Sequence, residues 1–407
     1  MNSWFESRFT GLFTRLGKVE ARAHDPAVQI CAGAIRPSGG GHADMSVGGA
    51  GWSWGDAEAA CLGEAIERMQ PQALPRDRCV EAAFESWPLN EPPVAPERWV
   101  LLHAEQYWQR DFPFQPLTRA TKCRWVCFRE ALSGAPWWVP EEFAFLNPRK
   151  GTTHQLCPGL STGLSCGQWG QRVVLRGLQE VIERDALMGA WWSAYPLEKW
   201  DIEQVFGSLG VSLRERVERP NLRWRFYRIR SPLSAHVTMA SVEGEEREGY
   251  CFSIGSACRE TREASWNKAI LEAVQGRHYV RRLKTERQDD GTLCDFPDHA
   301  VYYSFHPERL AETVLHNPPS AAAGDDESCV EDLPALILRL GPNRPVLVRA
   351  MTPPALAEQN LGWQVLRVVV PGLQPLHGND AFAHLGGPLW SPRGVGDWPS
   401  TPPHPFP

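Results

Sequence analysis

The sequence has no run of 18 apolar residues, and its first stretch carries Glu6, Arg8 and Arg15 among the aromatics, so neither a membrane-spanning helix nor a secretory apolar core is written there. A cytoplasmic location without membrane attachment is expected. Positive charge is also scarce: Lys and Arg number 42 against 48 Asp and Glu, for a net charge of -6, and no long basic run makes up the difference. Nucleic acid is thereby excluded as an expected partner. Eleven cysteines form no C-x-x-C pair and no even framework, and Cys123 and Cys127, the closest couple, read as buried or half-buried thiols. The twelve histidines form no H-E-x-x-H or similar zinc signature and read as surface or hydrogen-bonded residues. Neither a Walker loop nor a G-x-G-x-x-G after a strand is present. Gly163-Leu-Ser165-Cys-Gly167 matches the nucleophile-elbow pattern, but no strand is expected before it, so its small residues are read as allowing close approach of backbone to a ligand.

At 407 residues the chain can form one large domain with insertions or two domains. Residues 1–56 are rich in glycine, with Ser38-Gly-Gly-Gly-His42 and Gly48-Gly-Ala-Gly51 between short apolar runs, and read as strands and turns. Residues 57–395 form the expected core, and 396–407 a proline-rich tail. A helix is predicted from Asp56, as N-cap, to Met69. Pro71, Pro75 and the stretch from Pro88 to Pro96 force an irregular crossing, and a hairpin joins Trp125–Phe128 to Trp137–Val139. A second helix is expected over Gln171–Trp191 and a third from near Glu260. Strands are expected at Leu222–Ile229, His236–Val242, Val346–Ala350 and Val365–Val370, with a helix at Val330–Leu340 and an acidic loop at Ala321–Ser328. Strands interleaved with helices and long irregular joins indicate a mixed α/β, or α+β, fold.

The most informative feature is a phrase written twice, Glu64-Ala-Ile-Glu67-Arg68 and Glu180-Val-Ile-Glu183-Arg184, each inside an apolar stretch of helical character. Residues three apart share a helix face, so each phrase projects two carboxylates side by side. Bringing such faces together gathers like charge, which is costly unless a cation lies between, and Mg²⁺ takes carboxylate and phosphate oxygens together. The third helix carries Glu272, Gln275 and Arg277 in a related spacing.

These helices, together with the terminus Pro403-His-Pro405-Phe-Pro407, resemble the YcaO superfamily, and the Pro-x-Pro-x-Pro end resembles its azoline-forming cyclodehydratases of thiazole/oxazole-modified peptide biosynthesis. Ser161-Thr-Gly-Leu164, Glu183-Arg-Asp-Ala186, Val370-Pro-Gly-Leu-Gln-Pro-Leu-His377 and His384-Leu-Gly-Gly387 extend the likeness over roughly residues 45–407. The resemblance implies a YcaO-type fold of glutamate-rich helices packed on β-sheets. It further implies an enzyme using ATP and Mg²⁺ to convert Cys, Ser or Thr of a ribosomal precursor peptide into thiazoline or oxazoline by phosphorylating the backbone amide oxygen. Glu64, Glu67, Glu180 and Glu183 would hold metal. Those four with Arg68, Arg184, Glu272, Gln275 and Arg277 would hold nucleotide, and Pro403, Pro405 and Pro407 would order the catalytic site. The expected partners are the precursor peptide and a leader-binding, E1-like protein, with a homodimer left open. Two departures stand out: Arg172 where the family usually has a further metal-binding glutamate, and Ala60 where it usually has serine. They keep open a non-catalytic scaffold, alongside another YcaO activity such as thioamide formation.

Overall fold

The computed structural model describes residues 12–35, 45–69, 78–146, 155–168, 172–321, 329–358, 362–390 and 392–407. The Ser38–His42 turn, Pro71, Pro75, the start of the second helix at Gln171 and nearly all of the acidic loop at 322–328 lie outside them. The chain divides into two compact units, the first made of Met1–Met69, Tyr195–Glu331 and Pro402–Pro407, the second of Gln70–Ala194 and Asp332–Thr401. The divisions expected after residues 56 and 395 fall inside these units. Among the described residues, every pairing between two strands is antiparallel, and only isolated bridges are parallel, which places the fold on the α+β side of the mixed class. No helix among the described residues is long and apolar enough to cross a membrane.

In the first unit, strands Phe13–Lys18, Gln29–Ile35 and Met45–Gly51 form a three-stranded sheet. The first glutamate helix, Trp54–Met69, lies close against its last strand. The glycines make that approach possible: a Cβ on Gly49 would stand 2.3 Å from the Cys61 nitrogen and 2.4 Å from the Ala57 carbonyl oxygen. The helix starts two residues earlier than expected. Ser53 Oγ accepts the Asp56 N–H at 3.2 Å while the Asp56 carboxylate accepts the Ser53 N–H at 3.2 Å, so Ser53 is the cap and Asp56 completes a reciprocal capping pair.

The same unit holds a four-stranded sheet in the order Gly249–Cys258, Val237–Glu246, Arg223–Ile229, Leu197–Lys199. The third helix, Arg262–Glu286, is capped by Thr261, whose Oγ1 accepts the Ala264 N–H at 3.2 Å. It packs on strand Gly249–Cys258, where a Cβ on Gly255 would stand 2.3 Å from the Ala269 carbonyl oxygen. Trp266, Ile270 and Val274 from this helix meet Trp224, Phe226 and Val242 from the sheet in one buried cluster. Helix Phe296–Phe305 covers the far end of the same strand, with Ser304 Oγ accepting the Phe252 N–H at 2.9 Å.

The second unit is built on a six-stranded sheet. Cys79–Ala82, Cys123–Glu130, Leu347–Ala350, Trp363–Val369 and Leu164–Gln168 follow one another, and Pro136–Pro140 pairs with Cys123–Glu130. That last pair is the expected hairpin, with Cys127 opposite Trp138. The second glutamate helix, Val173–Trp191, rests on Trp363–Val369, where a Cβ on Gly177 would stand 2.6 Å from Val368 Cγ2. The G-x-S-x-G pattern proves to be part of a strand. Ser165 lies within Leu164–Gln168 and its Oγ donates to the Val173 carbonyl at 3.0 Å, securing the entry to the helix.

Candidate functional site

Each unit presents its own acidic face. In the first, the backbone N–H of Gly48 donates to a Glu64 carboxylate oxygen at 2.9 Å. Gln275 reaches the same backbone from the third helix, since its Nε2 lies 3.1 Å from where a Gly48 Cβ would be. Glu272, one turn before Gln275, pairs with Lys268 at 3.0 Å, a cation that the sequence patterns had not singled out. Arg68 stands 3.9 Å from Glu64 on the helix surface. Glu64, Glu272 and Gln275, distant in sequence, thus converge around one strand edge, with Glu67 half-buried on the next step of its helix.

Glu64 is recessed: only 32% of its side chain meets solvent. Its pKa is raised, foremost because its surroundings desolvate the charge, with repulsion from Glu272 adding to the effect; Arg68, the Gly48 N–H and Lys268 oppose it. A carboxylate crowded in this way gains from an added cation. Among the described residues, Glu64, Glu67 and Glu272 do not bring their oxygens within 4.8 Å of one another. Mg²⁺ seldom uses a closed all-protein cage, and one or two carboxylates completed by water and phosphate oxygens satisfy it, so these oxygen donors fit a Mg²⁺–nucleotide.

Arg277 has a different place from the one expected. It is buried, donating from Nε to Glu246 at 3.0 Å and from Nη1 to the Cys251 carbonyl at 3.2 Å. Its guanidinium is committed to strands Val237–Glu246 and Gly249–Cys258, and it drops out of the nucleotide-binding set.

In the second unit, Glu183 is buried and Glu180 half-buried on helix Val173–Trp191, with Arg184 Nε 3.9 Å from Glu180. Arg367, not recognised from sequence, attracts Glu180 from the adjoining strand. Burial pushes its pKa down to about 10, and although Nη2 donates to the Phe143 carbonyl at 3.2 Å, Nε and Nη1 have no hydrogen-bond partner among the described residues. Arg172 is exposed at the start of this helix and lines a concavity of about 390 Å³ with Asp332, Pro334 and Gln364; neither Glu180 nor Glu183 contributes to that lining. Asp185 accepts the Gln374 N–H at 2.8 Å, tying the end of the second glutamate motif to the Val370–His377 segment.

The proline-rich end is anchored in the first unit. Tyr303 Oη donates to the Pro403 carbonyl at 2.7 Å. His404 stacks on His299 at 4.0 Å, its carbonyl oxygen 2.8 Å from His299 Nδ1, and Phe406 is buried. Pro403 and Pro405 are buried with it, while Pro407 is exposed.

A family model described as YcaO cyclodehydratase, ATP- and Mg²⁺-binding, matches residues 48–374. The chain belongs to the YcaO family. No curated protein matches its sequence. Among solved structures, a heterocyclase in complex with substrate and cofactor is similar with a TM-score of 0.70 and 17% identity, covering 93% of this chain and 51% of that one. This YcaO chain therefore spans about half the length of that heterocyclase. A YcaO protein from Methanopyrus kandleri bound with AMPPCP and Mg²⁺ has a TM-score of 0.60 at 18% identity, over 89% of this chain and 86% of that one. A chain of the E. coli microcin synthetase McbBCD complex has a TM-score of 0.60 at 15% identity over 96% of both. At such identities these likenesses establish the YcaO fold.

Proposed function

We propose that this YcaO protein is an ATP-dependent peptide cyclodehydratase. The observation that carries the reading is the recessed Glu64 carboxylate, held by the Gly48 N–H and crowded by Glu272, in a chain of a family described as ATP- and Mg²⁺-binding. In this reading Glu64, Glu67, Glu180 and Glu183 hold Mg²⁺. Arg68, Arg184, Glu272 and Gln275 orient the nucleotide. Bound Mg²⁺ would supply charge neutralisation for phosphoryl transfer.

The substrate is a precursor peptide. A Cys thiol, or a Ser or Thr hydroxyl, adds to the preceding amide carbonyl, and the side-chain proton is released. The former amide oxygen takes the γ-phosphoryl group of ATP, leaving ADP. Expulsion of that oxygen as phosphate, with loss of the amide proton, forms the C=N bond of the thiazoline or oxazoline, so each ring removes the elements of one water. The segment Pro403–Pro407 orders the site for this attack. Prolines lower the entropy lost on fixing an extended segment, and the anchoring of His404 and Phe406 supports such a role. Likeness of fold to a chain of a multi-protein synthetase supports a leader-binding partner protein.

The decisive experiment incubates the protein with candidate precursor peptide, partner protein, ATP and Mg²⁺, and follows precursor mass and ADP release. Loss of one water per ring, coupled to ADP formation and absent in Glu64→Gln, is expected. Unchanged peptide mass together with an absence of Mg²⁺–ATP protection against thermal unfolding would instead establish the scaffold reading that Arg172 raises.

A further inference from the structure

The first unit also brings together three residues that no sequence pattern connects. One ring nitrogen of His236, Cys329 Sγ and a carboxylate oxygen of Glu331 all lie within 4.8 Å of one another, and no other set of three or more His, Cys, Asp or Glu among the described residues does so. His236 precedes strand Val237–Glu246, and Cys329 and Glu331 come from the segment that closes the first unit.

The cluster is held in place by its surroundings. His236 and Glu331 are buried. His236 Nε2 lies 2.7 Å from the Cys329 carbonyl oxygen, and its backbone N–H donates to Ser234 Oγ at 3.1 Å. Glu331 accepts from the Ala235 N–H at 3.1 Å and from Ser234 Oγ, and its own N–H donates to the Glu260 carbonyl at 2.8 Å. Hydrogen bonds of this kind are what orient metal ligands and preserve their geometry. Cys329 is exposed, which gives an ion a way in.

We propose that His236, Cys329 and Glu331 form a three-ligand site for a borderline-soft divalent ion such as Zn²⁺. One imidazole, one thiolate and one carboxylate suit Zn²⁺ or Co²⁺ and not Mg²⁺, which takes oxygen alone. Ligands around a tetrahedral Zn²⁺ stand about 3.5 Å apart, so closing the site requires movements of roughly an ångström. Three protein ligands leave a fourth position for water or an external ligand. The site is separate in chemistry from the Mg²⁺–nucleotide role of Glu64.

The test uses the full chain, stripped with chelator and kept in excess Mg²⁺, and titrated with Co²⁺ alone. One equivalent should bind with a thiolate-to-cobalt charge-transfer band, which Zn²⁺ abolishes by displacement. Cys329→Ser should remove the band, Cys294→Ser and Glu64→Gln should keep it, and His236→Gln should weaken Co²⁺ binding at least tenfold. Because Cys294 and Cys329 are both exposed, alkylation followed by peptide mass provides a second readout: Zn²⁺ should protect Cys329 and leave Cys294 reactive. A band that survives Cys329→Ser, or equal alkylation of Cys329 with and without Zn²⁺, would overturn the site.

Discussion

The N–H of Gly48 donates to the Glu64 carboxylate at 2.9 Å, so the strand before the first glutamate helix supplies a partner for the helix's own acidic group. The neighbouring glycines serve different purposes. A Cβ at Gly48 would meet the flexible end of Gln275 at 3.1 Å, whereas one at Gly49 would meet helix backbone at 2.3 Å. Gly48→Ala is therefore expected to change stability by under ~1 kcal/mol while weakening Mg²⁺–ATP binding through Gln275. Gly49→Ala should cost about 3 kcal/mol by overpacking. Urea denaturation and nucleotide titration of both variants check the contrast.

Glu64 gives a pH dependence opposite in sign to that of most carboxylates. Its folded pKa is raised, mainly by desolvation, so the folded state holds the proton over a pH window where the unfolded chain has released it. Its contribution is most favourable at low pH and declines as pH rises from the ordinary carboxylate range through the raised value. Glu64→Gln should lack this decline and melt higher than the parent near neutral pH without ligands. The same variant should lose thermal protection by Mg²⁺–ATP, and equal protection of both proteins would remove Glu64 from the site.

Arg277 should behave as a core residue. Arg277→Met leaves Glu246 with Arg22 and Arg281 as remaining partners, so a loss of about 3 kcal/mol is expected, at the low end for a broken buried ion pair. At temperatures where the variant stays folded, its ATP affinity should match the parent. A selective loss of ATP affinity with parent-like stability would return Arg277 to the nucleotide set.

For the proline-rich end, deletion and point substitution should part company. A chain ending at Pro402 loses the buried Phe406 and the His404 stack on His299, and a cost of about 3–5 kcal/mol is expected alongside lost azoline formation. Tyr303→Phe removes one hydrogen bond, at about 1 kcal/mol. Pro407→Ala leaves these anchors intact, so its melting temperature should hold while ring formation falls. Parent-like ring formation in Pro407→Ala would confine the segment to packing.

Two histidines should set the acid limit of the protein. Burial lowers the pKa of His384 to about 4 from 6.5, and burial together with the nearby Arg281 lowers His278 to about 4. Both are held neutral, so the unfolded chain binds more protons between these values, and stability present above pH 6.5 is lost as pH falls toward 4. The slope is at most ~1.4 kcal/mol per pH unit for each proton. Stability curves of His384→Gln against pH should be shallower than those of the parent in this range.

Much of this architecture could be read from the chain because apolar spacing and polar phrase coincide on the glutamate helices, whose described ends fall within two residues of those expected. Strand Gly249–Cys258 was not recognised. Its small residues, Gly255, Ser256 and Ala257, lie under a helix that comes so close that larger β-formers do not fit, and this dilutes the usual strand signal. Helix Phe296–Phe305 escaped for a related reason: its aromatic run suits a strand as well as a buried helix. At the site, Glu64, Glu272 and Gln275 were visible through repeated spacing. Lys268 and Arg367 were not, since a lone cation acquires meaning only from the carboxylate beside it. Arg277 shows the reverse, a residue in a motif whose partner, Glu246, comes from a strand.

The interleaving of the two units bears on how the protein is made. Residues up to Met69 and Tyr195–Glu331 belong with Pro402–Pro407, although Gln70–Ala194 and Asp332–Thr401 intervene. On the ribosome, the sheet carrying Gly48 would emerge long before the helix that brings Gln275 to it, and the pocket for Phe406 would wait until Asp332–Thr401 had been made. Synthesis at roughly 5–20 residues per second leaves these surfaces uncovered for many seconds, so chaperone engagement during translation should concentrate on the apolar segments of the first unit.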